Sequence, residues 1–203
     1  MRNRLLVWVV CSLGCLIGAS DSGAGELAYS IGAGRIEGAG DASGLASFGV
    51  SKLAVEHIEV TADVAYMHRT GGRVGNPCVG PIPCPTSDLE NSFIPVSLGL
   101  IGYLRGPQQS GPYAEFSPSL VVNRWSMEGG AGSGKFTALT AGLKFGLGAR
   151  LAINENGQID LGVLYLLSGS VDIEDESIRA LTGEERFGGL REAVPFARLS
   201  ISL

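Results

Sequence analysis

Apolar and polar residues alternate with a period of two in eight separate segments, and these segments follow an N-terminal export signal. No apolar run beyond that signal is long enough for a spanning helix. Together these observations predict an all-β fold, an eight-stranded antiparallel up-and-down barrel that crosses a membrane. The clearest segment is Ile58-Glu59-Val60-Thr61-Ala62-Asp63-Val64-Ala65-Tyr66, with one hydrocarbon face and one face carrying Glu, Thr and Asp. Hydrophobic residues make up 45% of the chain and the mean hydropathy is +0.24. The longest nearly charge-free run after residue 20, Phe93 to Leu104, falls short of the roughly 20 residues a spanning helix needs. Glycine, at 31 of 203 residues, suits tight turns and a narrow lumen.

The chain opens with two arginines in Met1 to Arg4, an apolar run from Leu5 to Ile17 and the small residues Gly18-Ala19-Ser20. This is the build of a secretory signal peptide, expected over residues 1–20 with cleavage as late as residue 25, leaving residues 26–203 as the barrel. The apolar core is short for a retained anchor. Cys15 follows Gly14 as a lipid-acceptor cysteine would, but Ser12 stands where such a site wants Leu. Cys11 and Cys15 leave with the leader; Cys78 and Cys84 stay, and export makes a disulfide between them the default expectation. Two cysteines without an adjacent histidine make a poor metal site, and no metal or other cofactor is expected.

The first strand, Leu27 to Glu37, puts Leu27, Tyr29, Ile31 and Ala33 on one face; Gly38 to Asp41 turns the chain; Leu45 to Ser51 forms a second strand. Lys52 to Glu56 connects to the third strand, described above. Arg69 to Asn91, with Gly71, Gly72, Asn76 and four prolines, reads as a long loop without regular structure. The fourth strand, Phe93 to Leu104, presents Ile94, Val96, Leu98 and Leu100 against Ser97 and Gly99. The fifth, Pro112 to Trp125, presents Ala114, Phe116, Pro118, Leu120 and Val122 against Glu115, Ser117, Ser119 and Asn123. Pro118 sits mid-strand without a donor, so a bulge is expected there. Met127 to Gly134 reads as a flexible glycine-rich loop. The sixth strand alternates from Leu139 to Leu151, Asn154-Glu155-Asn156-Gly157 is a strong hairpin signal, and the seventh runs from Gln158 to Ser168. A long acidic loop reaches about Arg191, and the eighth strand carries Ala197, Leu199, Ile201 and Leu203 on one side. Connections after strands three, five and seven read as longer than those after two, four and six, the asymmetry between external loops and periplasmic turns. A soluble lipid-binding barrel would also alternate, with its apolar face inward, but its polar face should be rich in Lys and Glu; here that face is mainly Gly, Ser, Thr and Ala.

The strand run from Leu27 to Leu203, with phrases such as Ile94-Pro95-Val96-Ser97-Leu98-Gly99-Leu100 and Gly111-Pro112-Tyr113-Ala114-Glu115, resembles the small eight-stranded outer-membrane β-barrels of the OmpA/OmpX type. The resemblance implies residence in the outer membrane of a Gram-negative-type envelope, contact with outer-membrane lipid and lipopolysaccharide, and insertion by the outer-membrane assembly machinery. Members usually end in an aromatic residue that this machinery reads, where this chain has Leu203.

The presumed inward face carries Glu59, Asp63, Glu115, Asp160, Lys144, Arg150 and Arg198. Buried charges must be matched, so lumen ion pairs are a better reading than catalytic carboxylates. Counting back from the Asn154 turn puts Arg150 opposite or diagonal to Asp160. An interior filled by side chains predicts no wide pore. Gly129 to Lys135 has P-loop spacing, but Phe136 replaces the magnesium-holding Ser or Thr and a strand follows where a helix is needed. Gly32-Ala33-Gly34 with Gly38 lacks the crossover helix of a dinucleotide site.

The net charge of −5 argues against a nucleic-acid partner. A lipid hydrolase would need a rim histidine, and of His57 and His68 only His68 falls near the external rim, without a His-x-Ser arrangement. Asp172, Glu174, Asp175, Glu176, Glu184 and Glu185, with Arg179, Arg186 and Arg191, read as a solvated loop whose spacing fits no calcium motif. The function expected is that of a non-enzymatic outer-membrane barrel acting through its external loops, 69–91 and 170–191, in adhesion, protection or envelope integrity. The alternatives are an outer-membrane lipid A or phospholipid acyl hydrolase and a soluble periplasmic lipid-binding barrel.

Overall fold

A computed structural model describes residues 27–36, 43–75, 86–129, 133–174, 176, 178–179 and 185–202. The export signal and the Cys78/Cys84 pair lie outside these residues. The described residues form ten strands: β1 Leu27–Arg35, β2 Gly44–Val55, β3 Ile58–Gly75, β4 Thr86–Tyr103, β5 Gly111–Gly129, β6 Gly134–Ala152, β7 Gly157–Ser168, β8 Val171–Asp172, β9 Arg186–Phe187 and β10 Arg191–Ser202. Eight of them close into one barrel in the order β1-β10-β7-β6-β5-β4-β3-β2, every neighbour antiparallel, while β8 and β9 form a separate two-stranded sheet.

The period-two alternation decides which side of each strand meets the surroundings. Ile31, Phe48, Leu98, Leu120, Leu139, Leu147 and Ile201 point outward and are exposed, Leu147 at 68% and Leu139 at 63%. Leu139 to Leu151 on β6 spans about 40 Å along the strand, or about 30 Å at the usual barrel tilt of about 40°, enough to match a hydrocarbon layer. The polar halves of the same strands point to the axis, where Ser117, Asn123 and Asp160 are fully buried. A soluble lipid carrier would need the reverse arrangement, so that alternative is overturned.

Three segments read as connections are strand. β3 and β4 continue into the stretch read as a loop from Arg69 to Asn91, pairing from Gly72↔Leu89 to Gly75↔Thr86 after a bulge between Arg69 and Gly72. The bulge takes up Gly71, and Gly72 resumes the ladder, so the glycine pair does not end the strand. β5 and β6 likewise pair as far as Met127↔Gly134, so their connection is short and the expected long loop after the fifth strand is absent. Lys52 to Val55 belongs to β2, with a bulge between Leu53 and Val55. The asymmetry between the two ends therefore lies in the outward projection of β3–β6 as much as in loop length.

The bulge expected at Pro118 is also absent. Ser97↔Ser119 and Leu100↔Phe116 keep one register, and only the two pairs between them are missing from the β4–β5 ladder. Pro95 behaves alike: the β3–β4 ladder lapses between Val64↔Val96 and Met67↔Phe93 without slipping. Each proline lacks one donor, and the sheet drops the corresponding rungs instead of inserting a residue. At the Pro118 gap the strands come so close that a Cβ on Gly99 would lie 2.3 Å from the Phe116 carbonyl oxygen. The β6–β7 turn is closed by Asn154, whose Oδ1 accepts hydrogen bonds from Asn156 N at 3.0 Å and Gly157 N at 2.6 Å.

The lumen is not only small residues and ions. Leu45, Met67, Phe93, Val121, Leu166 and Val194 form a buried apolar layer, and nearer the outer mouth Trp125 and Met127 pack with Val171, Ile173, Ile178 and Phe187. Those last four belong to the 169–190 segment, so it is not a fully solvated acidic loop. Its described residues fold back over the mouth, with Ile173 N donating to Glu185 O at 3.0 Å and Ser168 N to Leu190 O at 2.9 Å. Phe187 stacks on Trp125 at 5.3 Å, and Trp125 stacks on Phe136 at 4.8 Å.

Candidate functional site

The inward charges of five strands meet in the half of the lumen nearer the short turns, forming one chain of alternating sign. Arg150 Nη1 on β6 stands 3.3 Å from Glu59 Oε1 on β3, while its Nε and Nη2 donate to Asp160 Oδ1 and Oδ2 on β7 at 2.7 and 2.9 Å. This pair is two-pronged because Arg150 lies directly opposite Asp160 in the β6–β7 ladder. Arg198 Nε on β10 donates to the same Asp160 Oδ2 at 2.9 Å, and its Nη1 reaches Glu115 Oε2 on β5 at 3.0 Å. Lys144 Nζ continues the chain, 2.6 Å from Glu115 Oε1, and ends it on Asp63 Oδ2. Thus Glu59, Arg150, Asp160, Arg198, Glu115, Lys144 and Asp63 follow one another as four carboxylates separated by three cations.

Aromatic side chains brace this ladder. Tyr103 donates its hydroxyl to Glu59 Oε2 at 2.9 Å while its ring lies 4.3 Å under the Arg150 guanidinium. Tyr113 and Phe196 flank Arg198, each 5.7 Å from its guanidinium carbon. Arg150 also donates to the Pro107 carbonyl at 3.0 Å, tying the ladder to the β4–β5 turn. A cavity of about 20 Å³ lies beside Asp63, Lys144, Arg198, Ser30 and Ser47, with room for about one water. The lumen is filled from the ladder through the apolar layer to the cap. At the mouth, Arg69 on β3 reaches Glu192 on β10 at 2.7 Å.

The other sequence candidates separate. Lys135 faces outward and Phe136 inward on regular β6, so the glycine-rich stretch before them opens no helix. His57 sits in the β2–β3 turn, its carbonyl accepting from Tyr103 N at 2.8 Å. His68 lies on the outer part of β3, where Nδ1 is 3.1 Å from Ser92 Oγ and the ring stacks on Tyr66 with an interplanar angle of 4°. Tyr66 Oη is 3.3 Å from the same Ser92 Oγ. Ser92 was not recognised in the sequence; it is 24 residues away from His68 and meets it only through the β3–β4 register.

No protein-family model matches the chain, and no curated protein is significantly similar to it. Solved structures do match. The N-terminal β-barrel domain of Pseudomonas aeruginosa OprF aligns with a TM-score of 0.50 at 11% identity, covering 89% of this chain and 100% of that domain. A major outer membrane protein from Thermus thermophilus aligns with a TM-score of 0.51 at 11% identity, covering 87% of this chain and 99% of the other. At such identity the likeness speaks to fold alone. By its closed antiparallel topology, its apolar outer wall and these alignments, the chain has the fold of the small eight-stranded outer-membrane β-barrels.

Proposed function

We propose that this chain is a non-enzymatic integral protein of the outer membrane of a Gram-negative-type envelope, exported behind residues 1–20 and acting through what it displays at its outer mouth. The observation that carries this reading is the exposed ring of Leu, Phe, Ile and Val side chains around a lumen whose described residues leave room for about one water. Such a wall is tolerable only against hydrocarbon, and a filled lumen offers no route for solutes. Specific work then falls to the projecting hairpins and the 169–190 cap, whose Glu174, Glu176, Glu185 and Arg186 remain exposed to a surface partner.

The His68–Ser92 contact is the feature an acyl-hydrolase reading would rest on. Ser92 is paired to His68 on one side and Arg124 on the other, so it lies within the sheet and not at a turn or helix start where backbone amides converge on an oxyanion. Its hydroxyl is also shared with Tyr66. Both features favour the non-enzymatic reading.

The test is membrane fractionation combined with gel migration of unheated and heated samples. A membrane-associated species whose mobility shifts on boiling supports the proposal; a soluble species without the shift overturns it. Radiolabelled phospholipid and lipopolysaccharide incubated with this protein should remain acylated. Deacylation lost in Ser92→Ala and His68→Ala would replace the proposal with an enzyme.

A further inference from the structure

The outward side chains change character abruptly along the outer half of β3 to β6. Tyr66, Ile94, Val122 and Leu139 lie side by side across the four strands by the ladder registers, the last apolar row of the wall. The next outward row in the same registers is His68, Ser92, Arg124 and Thr137. One further step out, Lys135 on β6 stands opposite Ser126. Arg124, Lys135 and Thr137 are exposed. Two cations, Arg124 and Lys135, and three hydroxyls, those of Ser92, Ser126 and Thr137, therefore sit at the edge of a hydrocarbon-facing surface, with Ser92 held in place by His68 and Tyr66.

We infer that this row is a binding site for the phosphate of a membrane lipid in the leaflet at the outer mouth. Arg124 is the centre of the site: a guanidinium presents a planar fork of donors that matches phosphate oxygens. Lys135 adds a second charge, and the Ser92 and Thr137 hydroxyls on the strands flanking Arg124 supply donors on either side. The acyl chains of the same lipid continue down the wall over Val122, Leu139 and Leu120, which explains why the anion site borders the apolar rows. Glu90 shares the Lys135 row, opposite Ser126, and Asp88 and Glu128 form the row beyond; these carboxylates would repel an anion, so the phosphate seats on the belt side of the Arg124 guanidinium and Lys135 reaches back toward it. The occupant is a lipid and not a free phosphate, because the polar row alone is a shallow strip and the adjoining apolar rows supply the rest of the contact.

This inference rests on the membrane-barrel reading, and the experiment keeps the two apart. Folded protein, verified by its heat-dependent gel migration, is mixed in detergent with bisphosphorylated lipid A, with the dephosphorylated lipid, or with inorganic phosphate, and lipid retention is read by native mass spectrometry. The wild-type protein should retain the phosphorylated lipid about tenfold better than the dephosphorylated one. Inorganic phosphate should not compete at matched concentration. The double substitution Arg124→Gln/Lys135→Gln should abolish the preference, while Arg105→Gln, in the turn at the opposite end, should leave it intact. Equal retention of the two lipids, or an unchanged preference in the double variant, overturns the inference while the barrel stands. Competition by inorganic phosphate alone overturns the lipid assignment. Failure to obtain any heat-shifted species would instead strike the membrane-barrel reading itself.

Discussion

Arg150 faces Glu59 and Asp160 at once, with Tyr103 against its guanidinium and the Pro107 carbonyl on its flank. Replacing it with Met strands Glu59, which among the described residues keeps the Tyr103 hydroxyl but no cation, whereas Asp160 keeps Arg198. Breaking a buried pair from one side is far costlier than removing both partners, so Arg150→Met should destabilise the barrel by about 3–5 kcal/mol. Adding Glu59→Gln should recover part of that loss, both read by urea titration of protein folded into vesicles. Gly99 is sensitive for a steric reason. A Cβ there would lie 2.0 Å from Ser117 Oγ, which can rotate away, and 2.3 Å from the Phe116 carbonyl oxygen, which cannot. Gly99→Ala should cost about 1–3 kcal/mol in the same titration. At this scale the facing of the charged residues was legible, because alternation alone assigns Glu59, Asp63, Glu115 and Asp160 to the side opposite the Leu and Val residues. Their partners Tyr103 and Tyr113 were not, since a large apolar residue at an inward position reads as a flaw in the pattern. Ser92 was hidden because only the β3–β4 register brings it to His68.

The strand ends and the cap are where elements departed from their sequence signature. Glycines at 71–72 and the glycine-rich run after Met127 carry turn chemistry, yet the cross-strand partners that extend β3–β6 lie 17 or fewer residues away around each hairpin and override it. Pro118 promises a bulge by local rules, and long flanking ladders hold the register through it as they do through Pro95. The cap was read from its charges, while its structural content lies in Val171, Ile173, Ile178 and Phe187, spaced without a period because they meet an aromatic surface and not a sheet. Trp8 and Trp125 are the two tryptophans of the sequence, so protein lacking residues 1–20 reports on the cap through Trp125 alone. Phe187→Ala removes the ring stacked on it. Trp125 emission should shift to the red and its acrylamide quenching should rise, with the heat-dependent gel migration unchanged. An unaltered spectrum would mean that the 169–190 segment does not close the mouth.

For the molecule as a whole, the barrel closes because β1 pairs with β10 over seven rungs, from Ala28↔Ser202 to Gly34↔Phe196, leaving no open edge among its eight strands. Its wall and its filling answer different solvents: hydrocarbon outside, and inside a medium the protein must supply from its own ions, tyrosines and aliphatic side chains. Closure and facing were legible in the sequence because both follow from period-two patterning repeated an even number of times. The filling was not, because Met67, Phe93 and Val121 are apolar at inward positions and so run against the polar inner face, and the cap has no period. The most direct test of this two-solvent arrangement is lipid-tail quenching along the wall, using a small fluorophore on single cysteines in a Cys78→Ser/Cys84→Ser background. In vesicles of brominated-chain phospholipid, labels at Leu120→Cys, Leu147→Cys and Leu161→Cys should be quenched strongly, and labels at Ser30→Cys, Ser47→Cys and Ser119→Cys weakly. Strong quenching at the three serine positions with protection at the three leucines would contradict the account.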